Sequence, residues 1–122
     1  MNDRSLLTVT AVLEAATGLA LMIAPSFVVV QLLGEPLTST ASILLARIAG
    51  AALFAIGLVC WLDRGASRST GLLVGLLAYN LAVPVLLTHA ALAARVGGPG
   101  LWPAVAVHSL LALWCLARVR SR

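Results

Sequence analysis

The chain has 122 residues, of which 61% are hydrophobic and only 10% are charged, and its formal net charge is +4. Soluble domains carry roughly 25% charged residues, so this composition excludes an ordinary water-soluble fold and predicts one integral membrane domain over residues 1–122. The positive charge does not indicate a nucleic-acid partner, because nearly all of the arginines lie in short loops and tails rather than on one basic face.

Long apolar runs predict four membrane-spanning helices. A helix of about 20 apolar residues crosses the hydrocarbon core of a bilayer. Four runs meet this length, at about residues 6–24, 41–62, 70–94 and 101–119. The first run follows Arg4, as in a signal peptide, but Glu14 within it and Pro25 just after it favour a retained helix. The predicted fold class is therefore all-α: a polytopic four-transmembrane-helix bundle.

Between the first two spans lies a shorter apolar segment, at about residues 26–34, which is too short to cross a bilayer. We expect it to form a short interfacial helix on the periplasmic membrane surface. The sequence Gly34-Glu35-Pro36 should end this segment. Ser39 and Thr40 are candidates for the N-cap of the second span.

The arginine distribution predicts the orientation of the bundle. Only Arg95 lies in a loop on one side of the four predicted spans. The other side carries Arg4, Arg64, Arg68, Arg118, Arg120 and Arg122. Cytoplasmic loops are enriched in arginine and lysine, so both termini are predicted to be cytoplasmic.

Two opposite charges lie within the predicted spans, Glu14 in the first and Arg47 in the second. At about 1.5 Å per residue their depths differ by about 6 Å, which an arginine side chain can bridge. Because either charge alone is costly in a bilayer, we expect the two to pair. Asn80, near the middle of the third span, would complete a buried polar centre. This centre either fixes the register of the helices or forms a pocket that binds a ligand head group or relays protons.

Two histidines and a tyrosine are the candidate ligand-binding residues. His89 and His108 lie a few residues from the same turn, on adjacent spans, and Tyr79 precedes Asn80. Paired imidazoles at similar depth are the arrangement that an axially ligated haem requires. Three alternatives remain open: histidines that only hydrogen-bond at a helix interface, a haem site, and a proton or quinone site.

Other signatures of catalysis are missing from the sequence. Cys60 and Cys115 are far apart and are expected to be small core residues, since free cysteine packs like a small hydrophobe. The chain contains no nucleotide-binding loop, no zinc-protease helix motif and no nucleophile elbow. No catalytic residue and no metal ligand is therefore assigned.

The first half of the chain resembles the small bacterial DoxX-like membrane proteins and related four-helix families of unknown function. The likeness is carried by Gly18 and Pro25, then by Arg47-Ile48-Ala49-Gly50 and Gly57. This resemblance implies a multi-pass bundle in the bacterial inner membrane. Members of that group are linked by name to quinone-associated oxidation systems, but none of their catalytic residues carries over to this chain.

The leading functional hypothesis is a non-enzymatic accessory or stabilising subunit of a larger membrane complex, because almost all of the chain lies within the bilayer. Its partners would be lipid and other membrane subunits or further copies of itself. One alternative is a redox protein that holds haem or quinone near His89 and His108. Another is a small oligomeric, proton-coupled transporter that uses Glu14. Small residues four apart, Ala46/Gly50 and Gly71/Gly75, indicate faces for close helix packing.

Overall fold

In the computed structural model, which describes residues 3–66 and 70–121, the chain forms five helices and no strand. They are α1 (Asp3–Ile23), α2 (Pro25–Leu33), α3 (Thr40–Asp63), α4 (Thr70–Ala93) and α5 (Leu101–Arg120). All except α2 are long and apolar enough to cross a membrane. The predicted all-α fold with four spanning helices is confirmed. Arg68 and Arg122, two of the arginines that predict the orientation, lie outside the described residues.

Local sequence signals explain where several helices begin and end. Ser39 is the N-cap of α3: its hydroxyl accepts a hydrogen bond from the Ser42 backbone N–H at 3.0 Å, and Ser42 reciprocates as a capping box. Thr40, the other N-cap candidate, is the first helical residue instead. Helix α2 begins at Pro25, and Gly34 ends it with φ +80°, a conformation that glycine adopts without strain.

Helix α1 begins at Asp3, three residues before the predicted start at Leu6. Two interactions favour this longer helix. An acidic residue in the first turn complements the partial positive charge of a helix N-terminus. In addition, Asp3 forms an ion pair with Arg118 near the end of α5, which brings both ends of the described chain to the same end of the bundle.

Helices α1 and α3 pack with their backbones in close contact. A methyl group added at Gly18 would lie 2.5 Å from the Gly50 carbonyl oxygen and 2.5 Å from the Phe54 nitrogen. Added at Gly57, it would lie 2.7 Å from the Ala15 nitrogen. These glycines therefore let the two helices approach more closely than any residue with a Cβ would allow.

Helices α1 and α3 are thus one packed pair, and α4 and α5 are a second pair. An apolar core joins the two pairs at the end of the bundle where α1 begins and α5 ends. Cys60 and Cys115 are fully buried there as free thiols, which fits the small core residues that the sequence predicted. The core consists of Leu6, Leu7, Ala11, Cys60, Leu73, Leu76, Leu111 and Cys115.

At the opposite end, α2 packs on the loop between α4 and α5. The Gly98 N–H donates to the Leu32 carbonyl at 2.9 Å, and the Gly100 N–H donates to the Gln31 carbonyl at 2.7 Å. A Cβ at Gly98 would lie 2.3 Å from the Val30 and Gln31 carbonyl oxygens, so this contact requires glycine. The loop thus supplies donors for carbonyl groups at the C-terminus of α2 that have no partner within the helix.

Candidate functional site

Four polar side chains meet between the two helix pairs. The Tyr79 hydroxyl on α4 donates to Glu14 Oε2 on α1 across 3.4 Å, a long hydrogen bond. Beside it, His108 Nδ1 on α5 lies 2.8 Å from Asn80 Oδ1 on α4. The rings of Tyr79 and His108 pack edge to face, with their centroids 5.4 Å apart. We call Glu14, Tyr79, Asn80 and His108 the polar cluster.

The hydrogen bonds of Asn80 determine which nitrogen of His108 carries a proton. Asn80 Nδ2 donates to the Leu76 carbonyl at 2.8 Å, so Oδ1 is the atom that faces His108. Because a carboxamide oxygen only accepts hydrogen bonds, His108 Nδ1 must be the donor. In the neutral imidazole, Nε2 then keeps its lone pair and remains an acceptor. Asn80 is fully buried and therefore holds this arrangement away from water.

A cavity of about 340 Å³ adjoins the polar cluster, and all five helices contribute to its walls. Glu14, Thr17, Tyr79 and His108 supply its polar groups. The remaining lining is apolar: Leu13, Leu21, Leu32, Leu53, Val83, Leu87, Pro103, Ala104, Val107 and Leu111. An apolar pocket with a few convergent polar groups, of about 300–1,000 Å³, is the usual form of a small-molecule site.

The structure corrects the expected pairing of Glu14 with Arg47. Glu14 is only 3% exposed and contacts Tyr79, whereas Arg47 lies on the exposed surface of α3. Within the described residues, the one ion pair between side chains is Arg118–Asp3. The reason is the rotation of α3 about its axis: its buried residues are Gly50, Gly57 and Cys60, and the side of the helix that carries Arg47 faces outward.

The two histidines also separate. His108 lines the cavity beside Glu14, whereas His89 is exposed and lines a different, open groove of about 720 Å³ together with Pro84 and Ser109. The two side chains therefore do not line one common cavity. No group of three or more potential metal-ligating side chains occurs within residues 3–66 and 70–121.

The register of α4 and α5 explains why His89 does not lie beside His108 as the sequence predicted. Both histidines lie a few residues from the connecting loop, so the sequence indicated similar depths. In the structure, Asn80 is opposite His108, and counting along the antiparallel pair puts Leu101 opposite Leu87. The end of α4 thus extends past the start of α5, and the connecting loop contacts α2 through the Gly98 and Gly100 hydrogen bonds.

Sequence reasoning named every member of the polar cluster but not its contacts. A pocket at the polar centre was one of two alternatives, but Thr17 and the apolar lining of the cavity were missed. Thr17 follows Glu14 by three residues, a spacing that places both on one side of a helix, and this was the signal available.

Comparisons of the chain with protein-family models, with curated proteins and with solved structures find no match. The resemblance to DoxX-like proteins therefore stays a prediction.

Proposed function

We propose that this protein is a non-enzymatic membrane protein that binds a small lipophilic molecule in the cavity beside the polar cluster. The observation that carries this proposal is the cavity of about 340 Å³, in which Glu14, Tyr79 and His108 are the main polar groups of an otherwise apolar lining. Ionisable residues within a membrane span are costly, and they usually mark sites of function. The cavity provides the apolar volume for a ligand body and the polar cluster provides partners for its head group.

A photoreactive probe tests this site directly. A diazirine analogue of 1-octanol is cross-linked to the protein in nanodiscs, and mass spectrometry identifies the labelled residues. We expect labelling in the cavity that excess 1-octanol prevents. Ala104→Phe should fill part of the cavity and reduce labelling at least about fivefold, because Ala104 lines it.

Ala106→Phe is the matched control, since Ala106 lies on the exposed side of the same helix and not in the cavity lining. Labelling in the cavity should stay unchanged in this variant. Labelling that is confined to the outer surface and insensitive to Ala104→Phe would contradict the proposal. Elution in size-exclusion chromatography checks that both variants fold.

The proposed location is the bacterial inner membrane, with both termini in the cytoplasm. Four helices of spanning length and the excess of arginine at the end that contains the termini support this orientation. Green fluorescent protein fused to the C-terminus should fluoresce, because it folds in the cytoplasm but not after export to the periplasm. A dark fusion with active periplasmic alkaline phosphatase at the same position would reverse the orientation.

A second candidate function, an accessory subunit of a larger membrane complex, is favoured by Arg47. This exposed arginine lies within a helix of spanning length, where a charged side chain needs a partner or access to water. A carboxylate on a partner helix would satisfy it. Mild-detergent purification at native expression level should then recover a partner in fixed ratio, and Arg47→Gln should release it.

Arg95→Gln, which alters an exposed arginine in a loop, is the control for this purification. Recovery of the chain alone would contradict the accessory role and leave the binding proposal untouched. The visible spectrum of the same sample tests the redox alternative. We expect no Soret band, since His89 and His108 line different cavities.

A further inference from the structure

We infer that the ligand of the cavity is a lipophilic primary ammonium ion, whose charged N–H donors contact Glu14 and His108 and whose hydrocarbon body fills the apolar walls. This inference rests on the proposed function and names the chemical class of its ligand. Three features of the site lead to it: an uncompensated carboxylate, an oriented acceptor beside it, and an apolar lining that adjoins an outward-facing groove.

Glu14 lacks a counter-charge. Its side chain is 3% exposed, and its protein partner among the described residues is the neutral Tyr79 hydroxyl. Arg47, the cation expected to pair with it, is exposed on α3. A buried carboxylate must be neutralised by a proton or by a cation. An ammonium group that enters the cavity would supply that cation where the protein does not.

His108 adds a second acceptor with a defined orientation. Its Nδ1–H is used by Asn80 Oδ1, and Asn80 is itself fixed by the Leu76 carbonyl. The neutral ring therefore offers Nε2 as an acceptor, and His108 lines the same cavity as Glu14. A ligand that carries several N–H donors satisfies both acceptors, whereas an ionised carboxylate has no donor to offer them and would oppose ionisation of Glu14. The site thus discriminates against anions.

The third feature is an apolar groove that adjoins the cavity. Tyr79 lines the cavity and also a second, open space of about 450 Å³ between α3 and α4. Gly71 and Gly75 line that groove, and a Cβ at either would meet nothing within 4 Å. The phenol ring of Tyr79 is shared by both spaces and is an aromatic surface of the kind that attracts cations. A ligand that partitions into the bilayer can therefore reach Tyr79, one wall of the cavity, from this groove.

The test compares the binding of octylammonium, 1-octanol and octanoate, which have equal chain lengths, to the protein in nanodiscs of zwitterionic lipid. The binding measured with empty nanodiscs is subtracted. Octylammonium should bind at least about tenfold more tightly than 1-octanol, and octanoate should bind least, because a buried charge gains most from an opposite charge. Octyltrimethylammonium, which has the charge but no N–H, should bind more weakly than octylammonium. Glu14→Gln should remove the preference for the cation over the alcohol.

The outcomes separate this inference from the proposed function. Equal binding of octylammonium and 1-octanol, both prevented by Ala104→Phe, overturns the ammonium inference and leaves a lipophile site. Tighter binding of octanoate than of octylammonium also overturns it. Failure of all probes to bind, together with absence of diazirine labelling in the cavity, overturns both. The probe series on the unaltered chain decides the matter even if Glu14→Gln fails to fold.

Discussion

Helices α1 and α3 meet backbone against backbone at glycines, whereas α4 and α5 are joined across the hydrogen bond between Asn80 and His108. Both α3 and α4 carry small residues at the spacing that permits close helix packing. Backbone atoms of α1 occupy the space beside Gly50 on α3, but Gly71 and Gly75 on α4 face open space. The same spacing therefore produces a tight interface on one helix and an unfilled groove on another, and only the neighbouring helix decides which.

The largest expected effect is at the glycine interface of the first pair. Gly18→Val places branched carbons where a single Cβ already lies 2.5 Å from Gly50 and Phe54 backbone atoms, so α1 and α3 must separate. Overpacking of this kind costs about 1–3 kcal/mol and sometimes more, and here the clash is with backbone, which cannot rotate away. We expect loss of most folded protein, measured by the midpoint of SDS-induced unfolding in mixed micelles.

Gly75→Val is the matched substitution in the second pair. Because nothing lies within 4 Å of a Cβ there, the unfolding midpoint should stay close to that of the unaltered chain. An equal loss of stability in the two variants would show that the groove beside α4 is filled, and would remove the contrast between the two pairs.

A smaller effect is expected where the second pair connects to α2. Gly98→Ala places a methyl group 2.3 Å from the Val30 and Gln31 carbonyl oxygens, so the loop must withdraw from α2. Loss of the associated hydrogen bonds should cost about 1–3 kcal/mol. Hydrogen exchange should accelerate at Gly98 and Gly100 in particular. Gly97→Ala, whose added carbon would lie an ordinary 3.8 Å from Leu101 Cδ1, should leave exchange at these amides unchanged.

The polar contact of the second pair is expected to contribute less. A double-mutant cycle with Asn80→Ala and His108→Ala should give a coupling energy of about 0.6 kcal/mol, the average for hydrogen bonds between membrane helices. The cycle of Asn80→Ala with His89→Ala should give no coupling, since His89 lies in a different groove from His108. If the second cycle showed the larger coupling, the assigned register of α4 and α5 would be wrong.

The smallest effect should come from the ion pair that links the two pairs at their ends. Asp3 and Arg118 are 21% and 30% exposed, so salt screens their attraction. Arg118→Gln should lower stability by about 0.5 kcal/mol or less, and the difference should shrink in high salt. Arg120→Gln, at an exposed position in the same turn, serves as the comparison. A larger loss from Arg120→Gln than from Arg118→Gln would exclude a stabilising role for the ion pair.

Sequence reasoning recovered the helices of this protein because each depends on nearby residues. The Ser39 cap, Pro25 at the start of α2 and Gly34 at its end are local signals, and each functions as such in the structure. The start of α1 at Asp3 is supported in part by a contact with Arg118, 115 residues away in the chain. That contact has no local signal.

The residues of the site could likewise be predicted from local sequence, whereas their contacts could not. Glu14, Asn80, Tyr79 and His108 were identifiable as polar residues inside apolar spans, since each stands out in its own segment. Their partners were not identifiable: Arg47 was assigned to Glu14 by charge and depth, and His89 to His108 by distance from a shared loop. Counting residues gives the position of each side chain along its own helix, but its depth relative to a neighbouring helix and the direction in which it points depend on how the helices pack.

The sequence by itself determined the number of spanning helices, because bilayer thickness and hydrophobicity act on each segment separately. Only the tertiary structure decided that Glu14 contacts Tyr79, that Arg47 is exposed and that His108 rather than His89 lines the cavity. The physical reason is that rotation of a helix about its axis, and its sliding along a neighbour, cost little in hydrophobic energy within a bilayer. Close contacts such as Gly18 against Gly50, and Gly98 against α2, therefore select one arrangement among many with equal hydrophobicity.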